Sequence, residues 1–123
     1  MKITMHGNPL TLVGTPIKTG ETAPVFYGIN QQMQPVSLKE FAGKVVVISS
    51  FPSIDTPVCS AQMHHFNKMA SELSQDVVIL AISCDLPFAL HRYCAAEGID
   101  RVVTLSVPDR RITTFNPRRG HYR

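Results

Sequence analysis

Two continuous apolar runs, separated by a helical pattern, constrain the fold of this chain most. The runs cover residues 44–51 and 77–82 and are rich in β-branched residues, which is typical of strands buried on both faces. Between them, apolar residues recur at helical spacing at Met63, Phe66, Ala70 and Leu73. Two such strands joined by a helix predict a right-handed βαβ unit and a parallel sheet. Functional groups are then expected at the carboxyl ends of the strands, in residues 51–59 and 83–85.

Cys59 stands at the junction between the first strand and the helix. In the first turn of a helix, unpaired backbone N–H groups and the positive end of the helix dipole favour a thiolate over a thiol. The thiolate is the nucleophilic form of cysteine, so this position indicates a reactive group. The alternative is a buried structural thiol, because free cysteine is among the residue types most often buried.

Pro52 and Thr56 precede Cys59 in the pattern Pro-x-x-x-Thr-x-x-Cys, and each suits attack on a peroxide bond. Pro52 is expected to wall the thiolate off from water without adding a competing N–H donor. The Thr56 hydroxyl is both donor and acceptor, and is expected to touch the thiolate and orient the peroxide oxygen. These three residues are the predicted catalytic pocket.

With this motif the sequence resembles the peroxiredoxins, and within them the thiol peroxidase branch. The resemblance is close over residues 51–67 and 83–98 and looser over the rest of 1–106. It implies a thioredoxin-like α/β fold and the reduction of hydrogen peroxide and organic hydroperoxides without a bound cofactor. It also implies that Cys94 resolves the sulfenic acid of Cys59 as an intramolecular disulfide, which thioredoxin reduces. The alternative for Cys94 is a structural role between small helix neighbours.

The remaining cysteine and the histidines are given no catalytic role. Cys84 lies outside the family pattern and is predicted to be a buried thiol, with a competing disulfide to Cys59 as the alternative. His64, His65 and His91 lack the spacings of a zinc site, so no metal is expected and the first two are predicted to be exposed.

Shorter elements surround this core. The predictions are an N-terminal hairpin of residues 2–5 and 10–13 that caps the core, a strand within residues 29–36, a capping box from Ser37 to Glu40 before one helical turn, a helix with Asp85 as its cap that stops at Gly98, and a strand over residues 102–105.

The chain changes character after Ser106. Residues 107–123 carry five arginines and one acidic residue, a net charge of +4, whereas the whole chain carries +3. We therefore divide it into a partial thioredoxin-like domain, 1–106, and a basic tail, 107–123, unrelated to the family pattern. Arg110 and Arg111 lie near the family's supporting arginine but out of register, so neither is assigned its role. We expect a C-terminally incomplete fold in a truncated or frame-shifted chain.

The partners and the compartment follow from composition and from the family. The body lacks a basic face with interleaved aromatic residues, and no apolar run is long enough to span a bilayer, so neither nucleic acid nor a membrane is an expected partner. Three cysteines without a disulfide framework favour the cytoplasm. The family resemblance implies a possible homodimer. The alternatives to a working peroxidase are an inactive remnant and a redox-sensing or partner-binding module without turnover.

Overall fold

The computed structural model describes residues 2–12 and 14–107, together with the backbone of residues 115–116 and 121–122. In chain order the elements are β1 (Ile3–Met5), β2 (Asn8–Leu10), β3 (Tyr27–Ile29), β4 (Pro35–Ser37), a 3₁₀ turn (Leu38–Phe41), β5 (Val45–Phe51), α1 (Pro57–Glu72), β6 (Val77–Ser83), α2 (Pro87–Glu97), β7 (Val103–Ser106), β8 (Phe115–Asn116) and β9 (His121–Tyr122).

A five-stranded mixed sheet of order β4-β3-β7-β6-β5 forms the centre of the molecule. β5, β6 and β7 are parallel to one another, which confirms the parallel sheet expected from the two apolar runs. β3 runs antiparallel to both β4 and β7. In the pairing register, Phe51 lies beside Ser83 and Ser83 beside Ser106, so the three parallel strands end at one edge. This edge carries the predicted catalytic segment.

The two apolar runs differ in how deeply they are buried. In β6, the five residues from Ile79 to Ser83 are all buried, as predicted for a strand covered on both faces. For β5 that prediction is wrong, because the strand lies at the end of the sheet and leaves Val45 62% and Ile48 46% exposed. The difference arises from sheet position, since both runs are equally apolar in sequence.

Side chains alternate between the two faces of the sheet and form two apolar clusters. The cluster beneath the helices contains Phe51, Ile54, Cys59, Met63, Ile79, Ala81, Leu90, Cys94, Ile99 and Val102, with Val47, Phe66, Ala70 and Tyr93 packed against it. The cluster on the opposite face contains Phe26, Leu80, Ile82, Leu105 and Val107. Both predicted reactive cysteines therefore lie on the helical side of the sheet.

The predicted N-terminal hairpin forms, with Ile3 opposite Leu10, but its second strand is Asn8–Leu10 rather than residues 10–13. Its two-residue turn places His6 and Gly7 at φ values of 50° and 80°, the left-handed conformations that such a turn requires. Of its six strand residues only Ile3 is partly buried. The hairpin does not cap the core, because it offers almost no buried apolar surface.

The segment 29–36, expected to form one strand, instead holds the end of β3, a turn over residues 30–34 and the start of β4. The Asn30 side chain accepts hydrogen bonds from the N–H groups of Gln32 (3.0 Å) and Gln34 (2.9 Å), and Met33 has a φ of 63°. β3 packs tightly against β7, because a Cβ atom at Gly28 would lie 2.8 Å from the Cβ atom of Leu105. Only glycine fits there without moving one of the two strands.

The predicted helix ends are confirmed at two places. Ser37 and Glu40 form the reciprocal capping box of the 3₁₀ turn. α2 ends at Gly98, which adopts the left-handed conformation with a φ of 67°.

At the far end of the described body, Val107 is buried and its N–H donates to the Ser83 carbonyl at 2.8 Å. Arg110 and Arg111 lie outside the described residues.

Candidate active site

Asp85 ties together the strand ends that carry the site. Its carboxylate accepts hydrogen bonds from the Ser53 hydroxyl (2.9 Å), the Ile54 N–H (2.8 Å) and the Ser83 hydroxyl (2.8 Å). Its backbone carbonyl accepts a further bond from the Ser106 hydroxyl. The prediction of Asp85 as the α2 cap is wrong, because Leu86 occupies the N-cap position without a side-chain bond. Asp85 instead fixes the loop that leads into α1.

Cys59 lies in the first turn of α1, as predicted, and is only 5% exposed. Its side chain packs in the helical-face cluster with Phe51, Ile54 and Met63. Its sulfur therefore lies where the end of β5, the 52–56 loop and the start of the helix meet. Such a location combines an apolar surrounding with the positive end of a helix dipole.

Thr56 is the N-cap residue of α1. Its hydroxyl accepts a hydrogen bond from the Cys59 N–H at 3.3 Å and donates one to the Ser53 carbonyl at 3.1 Å. The threonine thus shares the first turn with Cys59, as the motif predicts. Because a hydroxyl has one proton, Thr56 must turn away from Ser53 before it can donate to a peroxide oxygen.

Pro52 follows the last residue of β5 and is exposed to solvent. It is on the strand side of the same loop that Asp85 holds through Ser53 and Ile54. Its role as a wall beside the thiolate stays a prediction.

Cys94 is buried in α2, 6% exposed, in the same apolar cluster as Cys59. Burial raises the pKa of its thiol above the ordinary value of 9.0, and a hydrogen bond with the Gln31 side chain opposes that shift in pKa. Gln31 also donates to the Thr104 hydroxyl at 2.7 Å and lies 3.3 Å from a ring nitrogen of His91. The turn before β4 therefore reaches over to the second cysteine.

The backbone of Cys94 closes α2. Its carbonyl accepts hydrogen bonds from the N–H groups of both Gly98 and Ile99, the latter at 3.0 Å. All three cysteines are free thiols in this structure. Cys59 and Cys94 therefore lie in one apolar cluster, each on an intact helix.

The other candidate residues lie outside this cluster. Cys84 is exposed, so the prediction of a buried thiol is wrong: the strand ends at Ser83 and the next residue points to solvent. His64 and His65 are exposed, as predicted. Within the described ranges, no group of three or more histidine, cysteine or acidic side chains is arranged to hold a metal ion.

The contacts of two polar residues of the site were not predicted from sequence. Asp85 carried a usable signal, because it lies in the strand-end segment 83–85 where functional groups were expected, but its hydrogen bonds to the loop before Cys59 were not predicted. Gln31 carried none, because its contact with Cys94 depends on the fold of the turn between β3 and β4.

Over the described part of the chain, no helix is both long and apolar enough to cross a membrane.

Comparison with known proteins agrees with this arrangement. The redoxin family model matches residues 18–114. The chain is 47% identical over 119 residues to a thiol peroxidase of Listeria monocytogenes, covering 97% of this chain and 70% of that protein. It is 47% identical over 121 residues to a thiol peroxidase of Bacillus subtilis, covering 98% and 71%. These matches confirm the family predicted from the cysteine motif.

Solved structures confirm the fold. A peroxiredoxin-like protein from Aquifex aeolicus superposes with a TM-score of 0.81 at 33% identity, covering 89% of this chain and 63% of that one. A thiol peroxidase from Chromobacterium violaceum gives 0.74 at 18% identity, covering 89% and 64%. The chain thus spans a little under two thirds of these two structures. It belongs to the redoxin family and, within it, to the thiol peroxidases, which are peroxiredoxin-type oxidoreductases.

Proposed function

We propose that this chain reduces hydroperoxides, with Cys59 as the attacking cysteine and Cys94 as the resolving one. The observation that carries the proposal is that both thiols lie in one apolar cluster, with Cys59 in the first turn of α1 directly after the loop held by Asp85. Pro52 and Thr56 shape the pocket on the loop side. Family membership supplies the class of reaction.

In the first step, the Cys59 thiolate attacks one oxygen of the hydroperoxide. A sulfur–oxygen bond forms and the oxygen–oxygen bond breaks. The other oxygen leaves as an alcohol, or as water from hydrogen peroxide, once it has taken a proton. Thr56 donates to the peroxide after its hydroxyl has left the Ser53 carbonyl, so the pocket needs a small rotation about one side-chain bond.

In the second step, the sulfur of Cys94 attacks the sulfenic acid of Cys59. A disulfide forms and water leaves. A thioredoxin-type dithiol then returns two electrons by thiol–disulfide exchange and restores both cysteines. Electrons pass through sulfur alone, so the proposed cycle needs no bound cofactor. A cytoplasmic location fits this reductant.

The test is the rate at which Cys59 is oxidised by a small alkyl hydroperoxide, with the products mapped by mass spectrometry. In a Cys84→Ser background, we expect fast oxidation and a Cys59–Cys94 disulfide. Cys59→Ser should abolish fast oxidation, whereas Cys94→Ser should leave it and stop at the sulfenic acid. Oxidation no faster than that of a free thiol would contradict the proposal and favour an inactive remnant. Oxidation without recycling by thioredoxin would favour a redox-sensing module.

A further inference from the structure

The position of the Gln31 side chain beside Cys94 is set by the pairing of two strands. β3 and β7 are antiparallel, with Ile29 opposite Ser106. The same register continued by two residues places residue 31 opposite residue 104. The Gln31 amide does reach across at this point, and its N–H group donates to the Thr104 hydroxyl at 2.7 Å. Gln31 is thus held at the end of the sheet rather than on a free loop.

Both polar atoms of the Gln31 amide have partners. The oxygen can only accept, and it lies 3.3 Å from Nδ1 of His91, so His91 donates to it. The nitrogen carries two hydrogen atoms. One is donated to Thr104, and the side chain also forms a hydrogen bond with the Cys94 thiol that lowers its pKa. Only a donor to the thiolate has this effect, so the second N–H group faces the sulfur.

A surface cleft brings the same groups together and opens Cys94 to small molecules. The thiol is only 6% exposed, yet it lines a cleft of about 360 Å³ with Gln31 and His91. The other lining residues are Ala95, Gly98, Ile99 and Asp100. A small reagent that enters this cleft therefore meets the sulfur and the Gln31 amide side by side.

Ionisable groups lie on both sides of the Cys94 thiol. His91 and Asp100 line the cleft, and Cys59 and Tyr93 belong to the apolar cluster on the inner side. A substitution at residue 31 leaves the identity of all four groups unchanged. Any change in the acidity of Cys94 on such a substitution is therefore traced to the amide.

We propose that Gln31 assists the second step of the reaction, by directing one amide N–H group at the Cys94 sulfur and stabilising the thiolate that attacks oxidised Cys59. This inference rests on the proposed resolving role of Cys94. The apolar cluster disfavours a negative charge on this sulfur, and Gln31 supplies a neutral donor where that charge must form. Thr104 and His91 hold the plane of the amide.

The step assisted by Gln31 is a displacement at sulfur. The Cys94 thiolate forms a bond to the sulfur of the Cys59 sulfenic acid, and the sulfur–oxygen bond breaks. The oxygen leaves as water once it has taken a proton. The attack on the hydroperoxide comes earlier and does not involve Cys94, so Gln31 is expected to leave the first step unaltered.

The first experiment measures the acidity of Cys94 without peroxide. In a Cys59→Ser, Cys84→Ser background it is the only cysteine, and the pH dependence of its alkylation by iodoacetamide gives its pKa. Gln31→Leu removes the donor and should raise the pKa by about 1, or about tenfold less thiolate at any pH below it. Gln31→Glu should raise the pKa further, because a carboxylate repels the thiolate and cannot donate to it. Urea unfolding checks that each variant is folded.

The second experiment measures the two steps of the reaction. In a Cys84→Ser background, rapid mixing with a small alkyl hydroperoxide, quenching and mass spectrometry give their rates separately. At about pH 7, Gln31→Leu should form the Cys59–Cys94 disulfide about threefold more slowly, because the loss of thiolate is partly offset by the greater nucleophilicity of a more basic thiolate. Oxidation of Cys59 should keep the parent rate.

Gln32→Leu is the matched control, since the neighbouring side chain is exposed. It should behave as the parent in both experiments. If Gln31→Leu leaves either the pKa of Cys94 or the rate of disulfide formation unchanged, the role of Gln31 is overturned and the proposed function stands. A parent protein that oxidises Cys59 but never forms the Cys59–Cys94 disulfide would instead overturn the resolving role of Cys94, and this inference with it.

Discussion

Burial controls how Cys94 behaves as an acid. The desolvated thiol has a pKa above the ordinary 9.0, and the bond with Gln31 does not cancel this shift in pKa. The unfolded chain therefore releases this proton at a lower pH than the folded chain. Below about pH 9 both states keep the proton and nothing is lost. As the pH rises through the folded-state pKa, the free energy of unfolding decreases.

Cys94→Ser should accordingly reduce the alkaline loss of stability. Under reducing conditions, urea unfolding at about pH 8 and about pH 10 should show a smaller drop in the free energy of unfolding for Cys94→Ser than for the parent, because serine does not titrate there. Cys84→Ser is the control, since Cys84 is exposed and should lose stability as the parent does. Equal drops in all three proteins would mean that Cys94 is not held protonated by burial.

The connection between β6 and α2 organises the site at the scale of secondary structure. Asp85, which lies in this connection, forms hydrogen bonds with the loop after β5, the end of β6 and the end of β7. Three donors, two in the loop after β5 and one at the end of β6, share one carboxylate, so Asp85 couples these two segments. The rigidity of the loop before Cys59 is therefore supplied from outside its own sequence.

Asp85→Ala should loosen this unit and slow the oxidation of Cys59. Because three donors lose a charged acceptor, we expect a loss of about 2–4 kcal/mol in the free energy of unfolding and a slower reaction with hydroperoxide. Asp85→Asn should lose less, since one accepting oxygen remains. Urea titrations and the oxidation rate measure the two effects.

Asp55→Ala is the matched control for Asp85→Ala. It removes an exposed carboxylate from the same loop and should change both quantities little. If Asp85→Ala proves as stable and as reactive as Asp55→Ala, the loop does not depend on the carboxylate of Asp85.

The elements differ in how far sequence could predict them. β5, α1 and β6 were predicted because each depends on a local run or period of apolar residues, and α2 was predicted from its end signals, of which Gly98 is confirmed. The exposure of Val45 and Ile48 was not, because it depends on which strand ends the sheet. The predicted catalytic motif could be recognised from sequence because Thr56 and Cys59 share one helical turn. The hydrogen bonds of Asp85 to the loop after β5 and of Gln31 to Thr104 join residues far apart in sequence, and no local pattern encodes them.

At the scale of the whole molecule, the residues that the structure describes cover the two faces of the sheet unequally. α1 and α2 lie on one face. On the other, Ile48 is 46% exposed and lines two shallow grooves, one with Ile82 and Val107 and one with Leu38, Phe41 and Val46. Apolar surface of this kind binds hydrophobic dyes and favours self-association.

Ile48→Lys should reduce dye binding at little cost in stability. We expect lower ANS fluorescence and a change of less than about 1 kcal/mol in the free energy of unfolding, because the residue is already half exposed. Val45→Lys is the control on the same strand, since side chains alternate and Val45 belongs to the other face. Equal ANS fluorescence in the parent and Ile48→Lys would show that these grooves are not where the dye binds.

The boundary between body and tail stays a prediction. The redoxin match continues to residue 114, past the division expected at Ser106, and Val107 is packed into the opposite-face cluster. The calculated tail charge of +4 concerns residues whose side chains lie outside the described part. The homodimer implied by the family resemblance likewise stays a prediction, which the mass of the protein in solution tests.

The lack of a side chain at Gly28 also affects the acidity of the Cys94 thiol. Any larger residue there would push β3 away from Leu105, and β3 carries the turn that brings Gln31 to Cys94. A methyl group at residue 28 would thus alter the acidity of a thiol that it never touches. In a mutational scan, substitutions at residue 28 would therefore lower both the stability of the protein and its activity in a redox assay.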